Sequence, residues 1–369
     1  MKQLVFINGR FLTQRVTGVQ RYAREALCAL DRRLAEGKEL GDVDFCVLAP
    51  TGTESPALQA IDFKTVGRRR GNAWEQWDLP RAAGAQLLLS FSATGPLLKK
   101  NQLVTVHDAS VFAVPQAFSR GFRAWYHVLL RVFARRHPML LTVSHFSKGE
   151  LSRYLKISEE KFRITTEGYQ HMQRVEADAG ILDKHGLVPG KFVLAVSSMT
   201  PNKNFSLIVD AMQRLNRPDF LVAIAGGQNA SVFGSTNVPQ FPFVRTLGYV
   251  TDGELRALYE NAALFLYPSL YEGFGIPALE AMASGCPVIA SNSASVPEVC
   301  EDAVSYVSPH DAPGLSQEIT ELMADAAARE RLAEQGKRRV QRYSWDECAR
   351  LNVQYVRERL GLSPSEAHG

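Results

Sequence analysis

The stretch Tyr267 to Pro287, YPSLYEGFGIPALEAMASGCP, constrains the fold more than any other part of this chain. The apolar run before it, Ala262 to Leu266, has the length and content of a buried strand. Pro277, a residue suited to the first turn of a helix, opens a segment of strong helix formers, Ala278 to Ala283. Gly285 and Pro287 then suit its end. Between predicted strand and helix lie Glu272, Gly273, Phe274 and Gly275, where two glycines let backbone N–H groups approach a ligand closely. A helix N-terminus, with its unbonded N–H groups and positive dipole end, suits an anion. Glu272 in the loop and Glu280 in the helix would repel a phosphate. They make sense only if they face something else, such as hydroxyls. Phosphate and hydroxyls together describe a sugar nucleotide.

The length of 369 residues exceeds the size at which single cores stop growing, so two α/β domains are expected. The 46% hydrophobic and 22% charged content is that of an ordinary globular protein. No run of 18 uncharged apolar residues occurs, so no membrane span is expected. The start, MKQLVFINGRF, is too short in apolar residues for a signal peptide. Five cysteines (Cys28, Cys46, Cys286, Cys300, Cys348) show no metal-type pairing and read as buried free thiols in a reducing, cytoplasmic compartment. A net charge of +4 is too modest for a nucleic-acid partner.

A first domain is expected over 1–170. Leu4 to Ile7 reads as a strand, Arg15 to Gly18 as a loop and Val19 to Leu34 as a helix, the opening unit of a doubly wound sheet. Asp44 to Ala49, Leu87 to Ser90 and Leu103 to Val106 read as further strands, and Thr51 to Asp62 as a turn-rich connection. His107 and Asp108 follow the last of these at a strand's carboxyl end, where open α/β sheets place ligands. Ser119 to Met139 mixes Phe122, Trp125, Tyr126 and Phe133 with Arg120, Arg123, Arg131, Arg135 and Arg136. Two readings stand for it: a core helix with a solvated basic face, or a basic amphipathic helix at a membrane interface.

Residues 171–191 hold glycines and charges without a long apolar run and read as a linker. The second domain is expected over 192–344, starting from the buried strand Phe192 to Val196. Its loop, Ser197 to Asn204, presents Lys203 at a strand-to-helix turn, well placed as a point charge for a diphosphate. Ala312 to Arg339 reads as helical and Trp345 to Leu360 as a last helix.

Taken whole, the string from Glu272 to Glu280 resembles the E-x7-E signature of retaining glycosyltransferases of family four, with their two-domain GT-B fold. The resemblance covers nearly the whole chain, strongly in the second half and loosely in the first. It implies an α/β architecture of two Rossmann-like domains facing a cleft, with helix 345–362 crossing back to the first domain. It implies that Glu272, Gly273, Phe274 and Gly275 meet the donor sugar and diphosphate and that Glu280 holds the ribose. Gly248, Tyr249 and Val250 match the segment whose backbone reads the base. His107 matches a histidine that contacts the donor sugar. Thr17, Gly18 and Asp108 fall on the acceptor side, where Gly18 also approaches the donor phosphates or else is a plain turn.

Ser198 and Asn202 stand at loop positions where relatives carry a phosphate-binding arginine, so Lys203 is the cation that this loop retains. Glu272, His107 and Lys203 are therefore the expected catalytic residues. The resemblance implies no cofactor and no metal, and the sequence is read as offering no D-x-D pair that would bind one. The donor expected first is GDP-mannose, then a GDP- or dTDP-deoxyhexose. The opening INGRFLTQRVTGVQRYARE resembles bacterial enzymes that build surface polysaccharides, which implies a glycan acceptor carried on a lipid and a peripheral membrane contact. Two other classes share the resemblance: a sugar-nucleotide epimerase on the same fold, and a non-catalytic sugar-nucleotide binding module.

Overall fold

A computed structural model describes residues 2–39, 41–196, 200–215, 218–226 and 242–363. These fall into two compact units, the first holding residues up to 112, 120–168 and those from 344 on, the second 113–119 and 169–343.

The first unit is built on a parallel sheet of β1 (Gln3–Asn8), β2 (Val43–Pro50), β3 (Asp62–Val66), β4 (Leu87–Ser90) and β5 (Gln102–Val104), in the order β3-β2-β1-β4-β5. A parallel pair, β6 (Leu140–Thr142) and β7 (Phe162–Ile164), extends it through a bridge from Thr105 to Leu141. Val5, Ile7 and Val47 are fully buried, as strands of a parallel sheet covered on both faces must be. The strand β3 lies in part within the connection expected to be turn-rich. It is an edge strand, mostly exposed, and such a strand needs no apolar run to signal it.

The helix Gly18–Ala35 follows β1 and buries Tyr22, Ala26, Leu27 and Leu30. Along it packs the helix Trp345–Leu360, tied down by Arg33 to Asp346 at 2.5 Å and Arg163 to Glu358 at 2.6 Å. The sequence does hold one D-x-D triplet, Asp42-Val43-Asp44, in which Asp42 pairs with Arg357 and Asp44 with Lys2. In the helix Arg120–Arg136 the aromatic residues are not an outward face. Phe133 is fully buried, and Trp125 and Tyr126 pack on the same core, since a four-residue spacing brings them onto one stripe with Leu129 and Leu130. The exposed large apolar residues on this helix are Phe122, which stacks on Tyr126 at the margin of that stripe, and Val128, which shares the opposite face with Arg120, Arg131 and Arg135.

The second unit holds a six-stranded sheet, all of whose pairs are parallel: β8 (Phe192–Val196), β9 (Leu221–Ala225), β10 (Val244–Gly248), β11 (Leu264–Tyr267), β12 (Val288–Ser291) and β13 (Ser305–Val307). Its order is β10-β9-β8-β11-β12-β13. From β8 the chain moves outward to β9 and β10, then returns to place β11 on the other side of β8. The loops leaving β8 and β11 therefore diverge at a topological switch point, where open α/β sheets bind ligands.

The segment expected as a plain linker carries two short helices, Gln170–Arg174 and Gly180–His185, packed on the helix Asp252–Asn261. Met172, Ile181 and Leu182 anchor them, too few and too scattered to read as an apolar run. The long helix expected over 312–339 is broken. Asp325 leaves helical geometry at ψ 92°, and its carboxylate accepts from the N–H of Ala328 at 2.9 Å, capping a second helix, Ala326–Val340. Four of the cysteines are buried as expected, but Cys28 is exposed. Among the described residues no helix is long and apolar enough to cross a membrane.

Candidate active site

The loops after β8 and β11 are stitched together before any ligand arrives. The N–H of Leu270 donates to the Asn202 carbonyl at 2.8 Å, and Asn202 Nδ2 donates to the Tyr271 carbonyl at 3.4 Å. Asn204 adopts a left-handed φ of 55° and spends its side-chain N–H groups on the carbonyls of Pro268 (3.1 Å) and Pro309 (2.8 Å). Asparagine tolerates that conformation better than most residues. A third line of support comes from after β12, where Ser291 Oγ donates to the Ser269 carbonyl and Ser293 Oγ to that of Leu270 at 2.9 Å. Ser295 Oγ lies 3.0 Å from the Glu272 carbonyl and 2.9 Å from that of Phe274. The loop that carries Glu272 is thus fixed from two sides by buried polar groups.

On this frame Lys203 Nζ donates to Glu272 Oε1 at 2.6 Å. Both side chains are partly open to solvent, at 20% and 12%, so a ligand can reach the pair. Tyr267 forms its floor, with the ammonium 5.6 Å from the ring centroid. Burial first, and then the Glu272 charge, hold the Tyr267 hydroxyl protonated well above its ordinary range. Gly275 ends the loop at φ 116° and ψ 46°, a region closed to side chains, and starts the helix Ile276–Ala283 with Pro277 in its first turn. That positive φ is why glycine stands here. Phe274 is buried with its ring edge-on to Tyr343 at 5.4 Å.

Glu280, one turn into that helix, is buried and already engaged. Its Oε1 accepts from His171 Nε2 at 2.7 Å and its Oε2 from the Tyr259 hydroxyl at 3.4 Å. Gly248 closes β10 with a φ of 73°, its carbonyl accepting from the Gly226 N–H at 2.7 Å. Tyr249 beyond it is 68% exposed, and Val250 is half-buried. Ser198 lies outside the described residues.

The first unit places its expected residues at the carboxyl ends of its own strands. His107 is buried, with Nε2 donating to the Phe91 carbonyl at 2.8 Å, Nδ1 facing Glu167 at 3.6 Å and the ring edge-on to Tyr22 at 4.6 Å. Asp108 accepts from the Ser110 N–H at 2.7 Å and starts a short helix. Thr17 and Gly18 are exposed at the start of the helix Gly18–Ala35, and apart from its own chain neighbours and helix backbone nothing lies within 4 Å of where a Gly18 Cβ would stand. Beside them an open groove of about 880 Å³ crosses the ends of β1, β2 and β3, lined by Arg10, Thr13, Arg24, Thr51, Ser55 and Arg70. Arg10 is held there by the fully buried Glu75 at 2.7 Å. Glu75 also accepts from Asn8 (2.9 Å) and Thr94 (2.8 Å).

Several of these partners escaped the sequence reading. Asn204, Ser291, Ser293, Ser295, His171 and Glu75 show no motif that sets them apart from surface polar residues. Only the cluster SNSAS directly after a buried strand hinted that a loop needed support.

The loops that carry Lys203 and Glu272 thus meet at the switch point of the second unit's sheet, where open α/β sheets bind ligands. Residues 181–339 match the family described as Glycosyl transferases group 1. The O-antigen chain mannosyltransferase B of Escherichia coli is 31% identical over 262 residues, 68% of this chain and 68% of its own. The O-antigen chain mannosyltransferase RfbU of Salmonella typhimurium is 26% identical over 85% of this chain and 90% of its own. Among solved structures, the sucrose-phosphate synthase of Thermosynechococcus elongatus superposes with a TM-score of 0.72 over 98% of this chain and all of its own, at 19% identity, a likeness of fold. This chain belongs to the group 1 glycosyl transferases, and it is a hexosyltransferase.

Proposed function

We propose that the protein transfers mannose from GDP-mannose to a hydroxyl of a growing surface glycan, with retention of configuration and without a metal ion. The observation that carries this reading is the Lys203–Glu272 pair, held on the two fixed loops at the switch point, beside the N-terminus of the helix Ile276–Ala283. A cation and a helix N-terminus answer a diphosphate, while two carboxylates, Glu272 and Glu280, answer sugar and ribose hydroxyls. The names of the two mannosyltransferase relatives support mannose as the sugar. Gly248, Tyr249 and Val250 take the base, and His107 the donor sugar. Asn202, held by its backbone and amide, leaves Lys203 as the phosphate contact of its loop.

The acceptor is met by the first unit, through Thr17, Gly18 and Asp108. The groove beside them falls within the volume range of about 300–1,000 Å³ usual for small-molecule sites. A panel of nucleotide sugars tests the donor. GDP-mannose is expected to raise the melting temperature most, because a ligand bound only by the folded state stabilises it by mass action. Free nucleoside diphosphate should then appear only when an acceptor glycan is added. A larger shift with another nucleotide sugar overturns the donor, and release of nucleotide from none of them overturns transfer.

The glycan is carried on a lipid at the cytoplasmic face, so the enzyme visits the membrane. The surface that supports this is smaller than an aromatic helix face: Val128 with Arg120, Arg131 and Arg135 along one side of the helix, and the 79% exposed Leu98 beside its last turn. Each cation near an anionic surface adds about 1 kcal/mol, lost as salt screens it. Co-sedimentation with anionic liposomes should fall with added salt, and again when Arg120, Arg131 and Arg135 are changed to Gln. Sedimentation indifferent to both leaves these arginines as a solvated face.

A further inference from the structure

The signature helix is gripped from a segment that belongs to no motif. His171 lies in the short helix Gln170–Arg174, just after the chain enters the second unit at Tyr169. Its neighbour Gln170 donates to the carbonyl of Tyr343, the last residue of that unit, at 3.1 Å. His171 is 3% exposed and Glu280 7%, and 2.7 Å separates Nε2 from Oε1. Tyr259, fully buried, offers its hydroxyl to the other carboxylate oxygen at 3.4 Å. Burial and the adjacent Glu280 keep that hydroxyl protonated, so toward the carboxylate it donates.

The consequence for Glu280 follows from counting lone pairs. A carboxylate has about four acceptor sites, and two protein donors from separate elements use two of them. The other two can accept a pair of vicinal hydroxyls. A glutamate with neither donor samples several rotamers and loses entropy when a ligand selects one. With both, the orientation is chosen beforehand. A ring donor fixed on a separate helix does this better than solvent can.

We propose that His171 is a positioning residue, whose Nε2–H holds the Glu280 carboxylate in the one orientation that receives the ribose hydroxyls of the nucleotide. The proposal rests on the reading of the second unit as a nucleotide-sugar site. It assigns to His171 no contact with the sugar that is transferred.

The test compares two probes on the full-length chain by calorimetry: the nucleoside diphosphate that the parent binds most tightly, and its 2′,3′-dideoxy counterpart. The parent is expected to prefer the ribose form about tenfold, the scale of hydrogen bonds to a charged group. His171→Ala should lose that preference while binding the dideoxy form as the parent does. His171→Gln, which returns an N–H near the place of Nε2, should regain most of it. A packing defect alone would weaken both probes together and leave the preference in place. Should the alanine chain fail to fold, His171→Leu keeps the volume without the donor. A His171→Ala or His171→Leu chain that still prefers ribose as the parent does overturns the proposal. A parent that binds no nucleoside diphosphate overturns instead the reading on which it rests.

Discussion

Lys203→Ala should lower the rate of sugar transfer by roughly thirty- to several-hundredfold, or about 2–4 kcal/mol of barrier at about 1.4 kcal/mol per tenfold. The leaving group in this chemistry is a nucleoside diphosphate, and its charge grows as the glycosidic bond breaks. Lys203 is the cation that the described structure places at the switch point, 2.6 Å from Glu272. Its removal acts twice. The growing phosphate charge loses its partner, and Glu272 is left as an uncompensated carboxylate that repels the diphosphate. Global stability should fall much less than activity, because the pair stays in reach of solvent and water can enter beside Glu272 when the lysine is removed. The two effects therefore separate cleanly in single-turnover kinetics and thermal melts. Asn202→Arg should restore part of the loss, because the Asn202 side chain makes only a 3.4 Å bond that an arginine can forgo. Near-normal transfer in Lys203→Ala would mean that the phosphates are held elsewhere.

Glu272→Ala should fail in a different way. Turnover at saturating donor is expected to fall about a hundredfold, because hydroxyl contacts to the sugar tighten as the anomeric carbon gains charge. Affinity for the nucleoside diphosphate should hold or improve, since Lys203 is then released from its carboxylate partner and faces the phosphates unneutralised. Glu280→Ala is the contrast. On the role proposed for it, a contact made equally before and during the reaction, its loss should raise the donor KM with a smaller effect on kcat. It also strands the His171 and Tyr259 donors in a buried site, so it should cost fold stability as well. Equal losses of nucleotide affinity in the two variants would refute the division of labour between the two carboxylates.

What the sequence determined by itself was local and periodic. The apolar run Ala262 to Leu266 and the fixed φ of Pro277 restrict the backbone where they stand, and Gly275 permits a positive φ between them, so strand, loop and helix could be placed without knowing any neighbour. The inner strands Phe192–Val196 and Leu221–Ala225 announced themselves by being apolar from end to end. The polar edge strand Asp62–Val66 and the helix break at Asp325 did not, because an edge needs no apolar run and a cap needs one side chain in one place.

Tertiary structure alone decided which face of the helix Arg120–Arg136 is buried: a stripe of Trp125, Tyr126 and Phe133 fits a membrane and a core equally well until its neighbours are known. It alone decided the support of the site. His171 finds Glu280 109 residues away, Asn204 finds Pro309 105 away, and Ser295 finds Glu272 23 away. A hydrogen bond between such residues depends on where the sheet order brings two loops together, and the chemistry of a lone histidine, asparagine or serine carries no record of its partner.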